Sequence, residues 1–214
     1  MRPICLALLD RFVRHSFKIS LSAALVAADA AFAHAFESGA DLYAQFTEGV
    51  GVILTYPATL LPLMALGIML SLWTKEGMVR AWPVFLIGQL VGLIVGAFVG
   101  VWILPIMLGL GIIVAALAAL LPRFAQPLAL GLASAIGLVS LSASLEGHGL
   151  FELPFFIYFG ILFGTNIAVA CTAGLARYAM ERYEADWMRI VWRVAASWIA
   201  AMLMLILAFT ISAG

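Results

Sequence analysis

Long uncharged runs alternate with short charged stretches along this chain, and the alternation predicts an architecture. A bilayer core takes about 20 apolar residues of helix. Six segments reach that length within a few residues: 50–73, 82–104, 106–121, 128–145, 153–175 and 194–212. The third is short, and only Pro105 separates it from the second, so the two are expected to form a tight helical hairpin. Lone Pro and Gly inside such runs are compatible with helix, because lipid leaves the backbone few alternatives. The expected fold is therefore all-α: a polytopic membrane bundle of six transmembrane helices in one domain, 34–214.

Residues 1–33 have the layout of a signal peptide. Arg2, Arg11, Arg14 and Lys18 supply a basic n-region, 19–28 a short apolar h-region, and Ala31-Phe32-Ala33 an A-x-A cleavage site. The mature chain is then expected to begin at His34; the alternative is an uncleaved anchor helix. Export across a bacterial inner membrane is the implied context.

Charge gives the orientation. Four of the eleven Lys and Arg lie in the leader. The others are Lys75, Arg80, Arg123, Arg177, Arg182, Arg189 and Arg193, all in alternate connections. The positive-inside rule makes those connections cytoplasmic, so the mature N-terminus and the C-terminus are expected in the periplasm. Glu37, Asp41, Glu48, Glu146 and Glu152 then face out with His34 and His148, a surface that concentrates cations. The alternative is that topology excludes Lys and Arg there and leaves an acidic remainder.

Composition agrees with a lipid setting. The chain is 65% hydrophobic and 10% charged, where soluble domains carry about 25% charged residues; its mean hydropathy is +1.15. Zero net charge gives no basic surface for nucleic acid. Two cysteines, one in the leader and one in a span, make no disulfide framework. No HExxH, phosphate loop or nucleophile–base pair points to an enzyme.

Candidate chemistry concentrates at 146–174, where a polar turn with Glu146, His148 and Glu152 opens onto an uncharged span carrying Thr165, Asn166, Cys171 and Thr172. The metal-binding candidates are His34, Glu146, His148 and Glu152. His34 would add a free α-amine to its imidazole, a pair that chelates nickel, cobalt, copper or zinc. The candidate permeation path is Thr165, Asn166 and Cys171. The plainer reading is a loop with turn residues and solvating charges. No Asp, Glu, Lys, Arg or His lies deep in an expected mature span, which argues against proton-coupled pumping.

Gly88, Gly92, Gly96 and Gly100 recur every four residues, and Gly160 and Gly164 repeat the device. Small residues on one face let helices approach closely in lipid. Packing within the bundle is the preferred reading over a homo-oligomer interface. Residues 176–193 carry the pairs Arg177/Glu181 and Arg182/Asp186 among aromatics, and read as a cytoplasmic interfacial helix. A partner docking there is the alternative.

The chain resembles the HupE/UreJ family of hydrogenase and urease accessory membrane proteins. An AFA–His34 leader precedes an acidic outer segment. Tyr56-Pro57-Ala58-Thr59 and the apolar run after it look like the family's first span with its H-P-x-x-G-x-D-H motif. Glu146-Gly147-His148-Gly149 and Glu152-Leu153-Pro154 look like its H-x-H-G…E-x-P turn. Tyr56 stands where the family has the first motif His; Leu60, Pro62 and Leu63 stand at its Gly, Asp and second His. The resemblance implies nickel or cobalt handling. Two functions are expected from it: a divalent-metal uptake facilitator, or a non-transporting accessory subunit of a larger membrane complex.

Overall fold

Asp41 caps the first described helix, its carboxylate accepting the Ala44 N–H at 2.7 Å, as N-cap aspartates do. The computed structural model describes residues 41–121, 125–149, 152–183 and 186–213. The expected leader at 1–33, the cleavage site, His34 and Arg123 lie outside the described residues. Among those described there are seven α-helices and no strand: α1 Leu42–Leu54, α2 Pro57–Trp73, α3 Gly77–Gly96, α4 Ile103–Leu120, α5 Gln126–Ser144, α6 Phe155–Tyr183 and α7 Asp186–Ala213. Five, α3 to α7, are long and apolar enough to cross a bilayer. The pair α1 and α2 makes a sixth candidate if taken as one span, bent by 71° at its break.

That break modifies the expected span 50–73. The helix starts earlier, at Leu42, which puts Glu48 on it. It stops at Leu54, because Pro57 has no N–H to continue the ladder and instead occupies the first turn of α2.

α2 is the centre of the bundle and packs against every other described helix. Its sequence is apolar on all sides, which suits only a surrounded helix; Leu63, Ala65, Leu66 and Met69 are fully buried. Around it α3 packs most closely with α5, α6 with α1 and α2, and α7 with α4. The outward faces, such as Leu90 and Ile94 on α3 and Trp198 and Leu205 on α7, are exposed apolar surface and suit lipid.

Two close helix pairs rest on glycine. A Cβ at Gly88 or Gly92 would strike the backbone carbonyl of Ser134 or Leu138 on α5, and one at Gly96 would reach Ser142. The contacts advance four residues at a time on both helices, so α3 and α5 run parallel. Ser142 Oγ adds a hydrogen bond to the Gly92 carbonyl at 2.9 Å. Gly160 meets the Phe46 carbonyl and Gly49, and Gly164 meets Ile53 and Val50, so α1 and α6 also run parallel. Gly100 has open space around it.

Among the described residues the Lys and Arg gather at one end of the bundle. Arg193 Nε donates to the Ala119 carbonyl at 2.7 Å, and Arg189 Nη2 to the Leu72 carbonyl at 3.4 Å. Both arginines therefore cap C-terminal carbonyls, of α4 and α2, where a cation is favoured by the helix dipole. The expected interfacial helix at 176–193 is instead the extension of α6 and α7. At about 1.5 Å per residue, the 29 residues of α6 span about 43 Å, beyond a hydrocarbon core of about 30 Å. Arg177 and Glu181 pair at 2.7 Å, but Arg182 and Asp186 fall on different helices.

Candidate functional site

The turn after α5 sits at the end opposite the arginines. Gly147 takes φ +82°, a left-handed geometry that glycine supplies without strain. This reverses the chain, and the His148 N–H returns to the Leu145 carbonyl at 3.1 Å. His148 Nδ1 lies 3.2 Å from the Glu146 carbonyl oxygen, so it donates in the tautomer protonated there. The Glu152 carboxylate turns back to accept the Gly149 N–H. Burial pushes the Glu146 carboxyl above its ordinary pKa of 4.5, since partial desolvation disfavours the anion. Among the described residues no three His, Cys, Asp or Glu side chains gather as a ligand set; Glu146, His148 and Glu152 share a turn but not a coordination centre.

Beside the turn lies an apolar cleft of about 320 Å³, walled by Leu93 of α3 and Ala97 just past its end, Leu145 and His148 of the turn, and Phe155 and Tyr158 of α6. Leu93 is one turn along α3 from Gln89, and Leu162 is one turn along α6 from Tyr158. Just past these is a chain of polar side chains. Gln89 Nε2 donates to Thr165 Oγ at 2.6 Å, and Gln89 Oε1 accepts from Asn166 Nδ2 at 2.9 Å. Asn166 Oδ1 accepts from Trp82 Nε1 at 2.9 Å. Thr165 and Asn166 each also donate to the Leu162 carbonyl, at 2.9 and 2.8 Å. Gln89 and Thr165 are fully buried. Buried amides in an apolar surround need such partners, since an unmet one costs about 1–3 kcal/mol.

The third polar feature is the break between α1 and α2. Thr59 Oγ points its proton at the carbonyls of Val52, Ile53 and Tyr56, 3.0–3.1 Å away. Thr55 Oγ donates to the Gly51 carbonyl at 2.7 Å. Two hydroxyls thus cover the carbonyl end of α1.

Of the expected path residues, Thr165 and Asn166 come together with Gln89, whereas Cys171 is exposed on the outer surface of α6. Sequence reasoning missed Trp82 as a partner and the threonine cap of the break. The signal for Trp82 was an indole N–H in an apolar run, a donor that an apolar lipid surround obliges to find an acceptor.

These features define a polytopic helical membrane protein with a polar cluster in its interior. No family model, curated protein or solved structure matches the chain.

Proposed function

We propose that the chain is a diverged membrane protein of the HupE/UreJ type that facilitates passage of a divalent transition-metal ion, nickel or cobalt in class. The carrying observation is the broken span: α1 and α2 meet at 71°, with Tyr56-Pro57, the position of the family's first motif, at the break. Transporters place ion sites at discontinuous helices, because a break turns helix ends and their dipoles toward the interior. The carbonyl end of α1 is the end that favours a cation. His148 at the mouth of the cleft is the entry ligand in this reading, with Glu146, Glu152 and His34 near it in sequence or expected on the same face. The membrane is the bacterial inner membrane, with the arginine end cytoplasmic.

A second reading is a non-conducting accessory subunit of a larger complex. It is favoured by the threonine hydroxyls being engaged with carbonyls at the break, and by Gln89, Thr165 and Asn166 being bonded to one another. Purification from native membranes in mild detergent separates the two. A lone protein or homo-oligomer with bound metal, lost in His148→Ala, supports the facilitator. A stoichiometric larger partner with no metal on this chain supports the accessory subunit.

A further inference from the structure

The pattern of helix pairing contains a hidden two-fold relation. Take α1–α2, α3 and α4 as one half, and α5, α6 and α7 as the other. Exchanging the halves turns the packing of α1–α2 on α6, the most extensive in the bundle, into the smaller but still extensive packing of α5 on α3. The α2–α7 contact becomes the α5–α4 contact, and the α2–α3 contact becomes the α5–α6 contact. The pairs α4–α7, α3–α6 and α2–α5 map onto themselves. Directions follow the same rule: both glycine-packed pairs are parallel, while α4 and α7 are antiparallel, with Gly111 against Leu203 and Arg193 against Ala119. Gly88 and Gly92 on α3 thereby answer to Gly160 and Gly164 on α6. Each half has three spans, so the two have opposite directions in the membrane. The relation lapses in two places: α2 also packs on α4, whereas α5 and α7 make at most marginal contact, and α6 touches α7 where α3 and α4 make at most marginal contact.

We propose that the bundle is an inverted three-plus-three repeat whose axis passes through the Trp82–Asn166–Gln89–Thr165 cluster, and that this cluster is the gate of an alternating-access path. The α3–α6 contact maps onto itself, so it lies on the axis, and its hydrogen bonds join one half to the other. Inverted repeats work by rocking one half against the other around a fixed midplane site. The cleft beside His148 lies on the turn side of this cluster and reaches Leu93, one helical turn short of Gln89. Its mirror image belongs between α2, α3 and α6 at the basic end, and Trp82 stands on that side with its indole N–H on Asn166. The structure is therefore the form open toward the turn, and breaking the indole bond shifts it toward the form open at the basic end. The inference deepens the transport reading and rests on it for the cargo.

Thr165→Cys, in a Cys5→Ser, Cys171→Ser background, reports gate opening through a membrane-impermeant maleimide applied to right-side-out and inverted vesicles. The expected result is labelling from both faces. Trp82→Phe, which keeps an aromatic ring and removes the donor, should speed labelling from the basic-end face several-fold and slow it from the turn-end face. Ala97→Cys, in the cleft wall, is the reagent control at the turn-end face. Thr165→Cys labelled from one face only, or from neither while Ala97→Cys reacts, overturns the proposal. The readout involves no metal: two-sided labelling without metal flux would remove the metal reading alone, and flux with one-sided labelling would remove the gate alone.

Discussion

Gly92→Ala adds one methyl group, and its consequence follows from where that methyl lands. The new Cβ would strike the Leu138 carbonyl, which is helix backbone and has no rotamer to escape into. The two helices must separate along the whole ridge, and the Ser142–Gly92 hydrogen bond at 2.9 Å lengthens with them. Overpacking of this kind costs about 1–3 kcal/mol. Alanine's better helix propensity offsets about 0.5–1 of that, leaving a net loss on the order of 1 kcal/mol. For a chain of this size about 1 kcal/mol moves Tm by roughly 2–4 °C, so a fall of about 2–5 °C is expected. Gly109 supplies the control. It lies within α4 with nothing inside 4 Å of an added Cβ, so Gly109→Ala should hold or raise Tm. Thermal unfolding of both variants in one detergent, followed by tryptophan fluorescence, makes the comparison. Equal Tm values for the two would refute the close pairing of α3 with α5.

Other expectations concern the break, the caps and the turn. Thr59→Val keeps shape but removes the one hydroxyl proton that the carbonyls of Val52, Ile53 and Tyr56 share, a loss of about 1–3 kcal/mol that should appear as a lowered Tm, with Ser at the same position restoring most of it. Arg193→Ala removes the 2.7 Å bond to the Ala119 carbonyl and should cost about 1–2 kcal/mol, more than Arg189→Ala, whose bond is longer; paired thermal scans check the order. Glu146 holds its proton more tightly folded than unfolded, because burial raises its pKa from 4.5. Its contribution is thus greatest below the unfolded value and declines as pH rises through the folded one. Glu146→Gln should flatten that part of the Tm profile above pH 4.5.

The spans were legible because lipid demands uncharged runs, and α3 to α7 each overlap one. Their ends were not. α3 stops at Gly96, the connection is 97–102, and Pro105, expected to separate two spans, lies in the first turn of α4, where its missing N–H costs nothing. Glu48 interrupts the hydropathy of α1, so the apolar run starts only after it, while the Asp41 cap marks the true start of the helix. Arg177 to Arg193 looked like a separate surface helix because charge leaves the bilayer there, although the helices continue past it. The break at Tyr56-Pro57 was hidden, since a proline in an apolar run is compatible with an unbroken helix and the covering hydroxyls act across six or seven residues. Gln89, Thr165 and Asn166 stood out as lone polar groups, but spacing within one helix carries no signal that α3 and α6 face each other. The inverted halves left no sequence period because their likeness lies in which helices pack and in what direction. The turn at 146–152 was legible as a turn through its glycines. The backbone partners that Glu152 and His148 find inside the turn carry no signal in the spacing of those residues.

The most direct measurement is flux by the purified protein alone. Liposomes containing it, loaded with a metal-sensitive dye, would be given nickel or cobalt outside. The account predicts entry that is faster than in empty liposomes, saturates with concentration and is slowed by His148→Ala. Entry no faster than in empty liposomes, for both metals and with protein shown to be folded by its thermal transition, would contradict it.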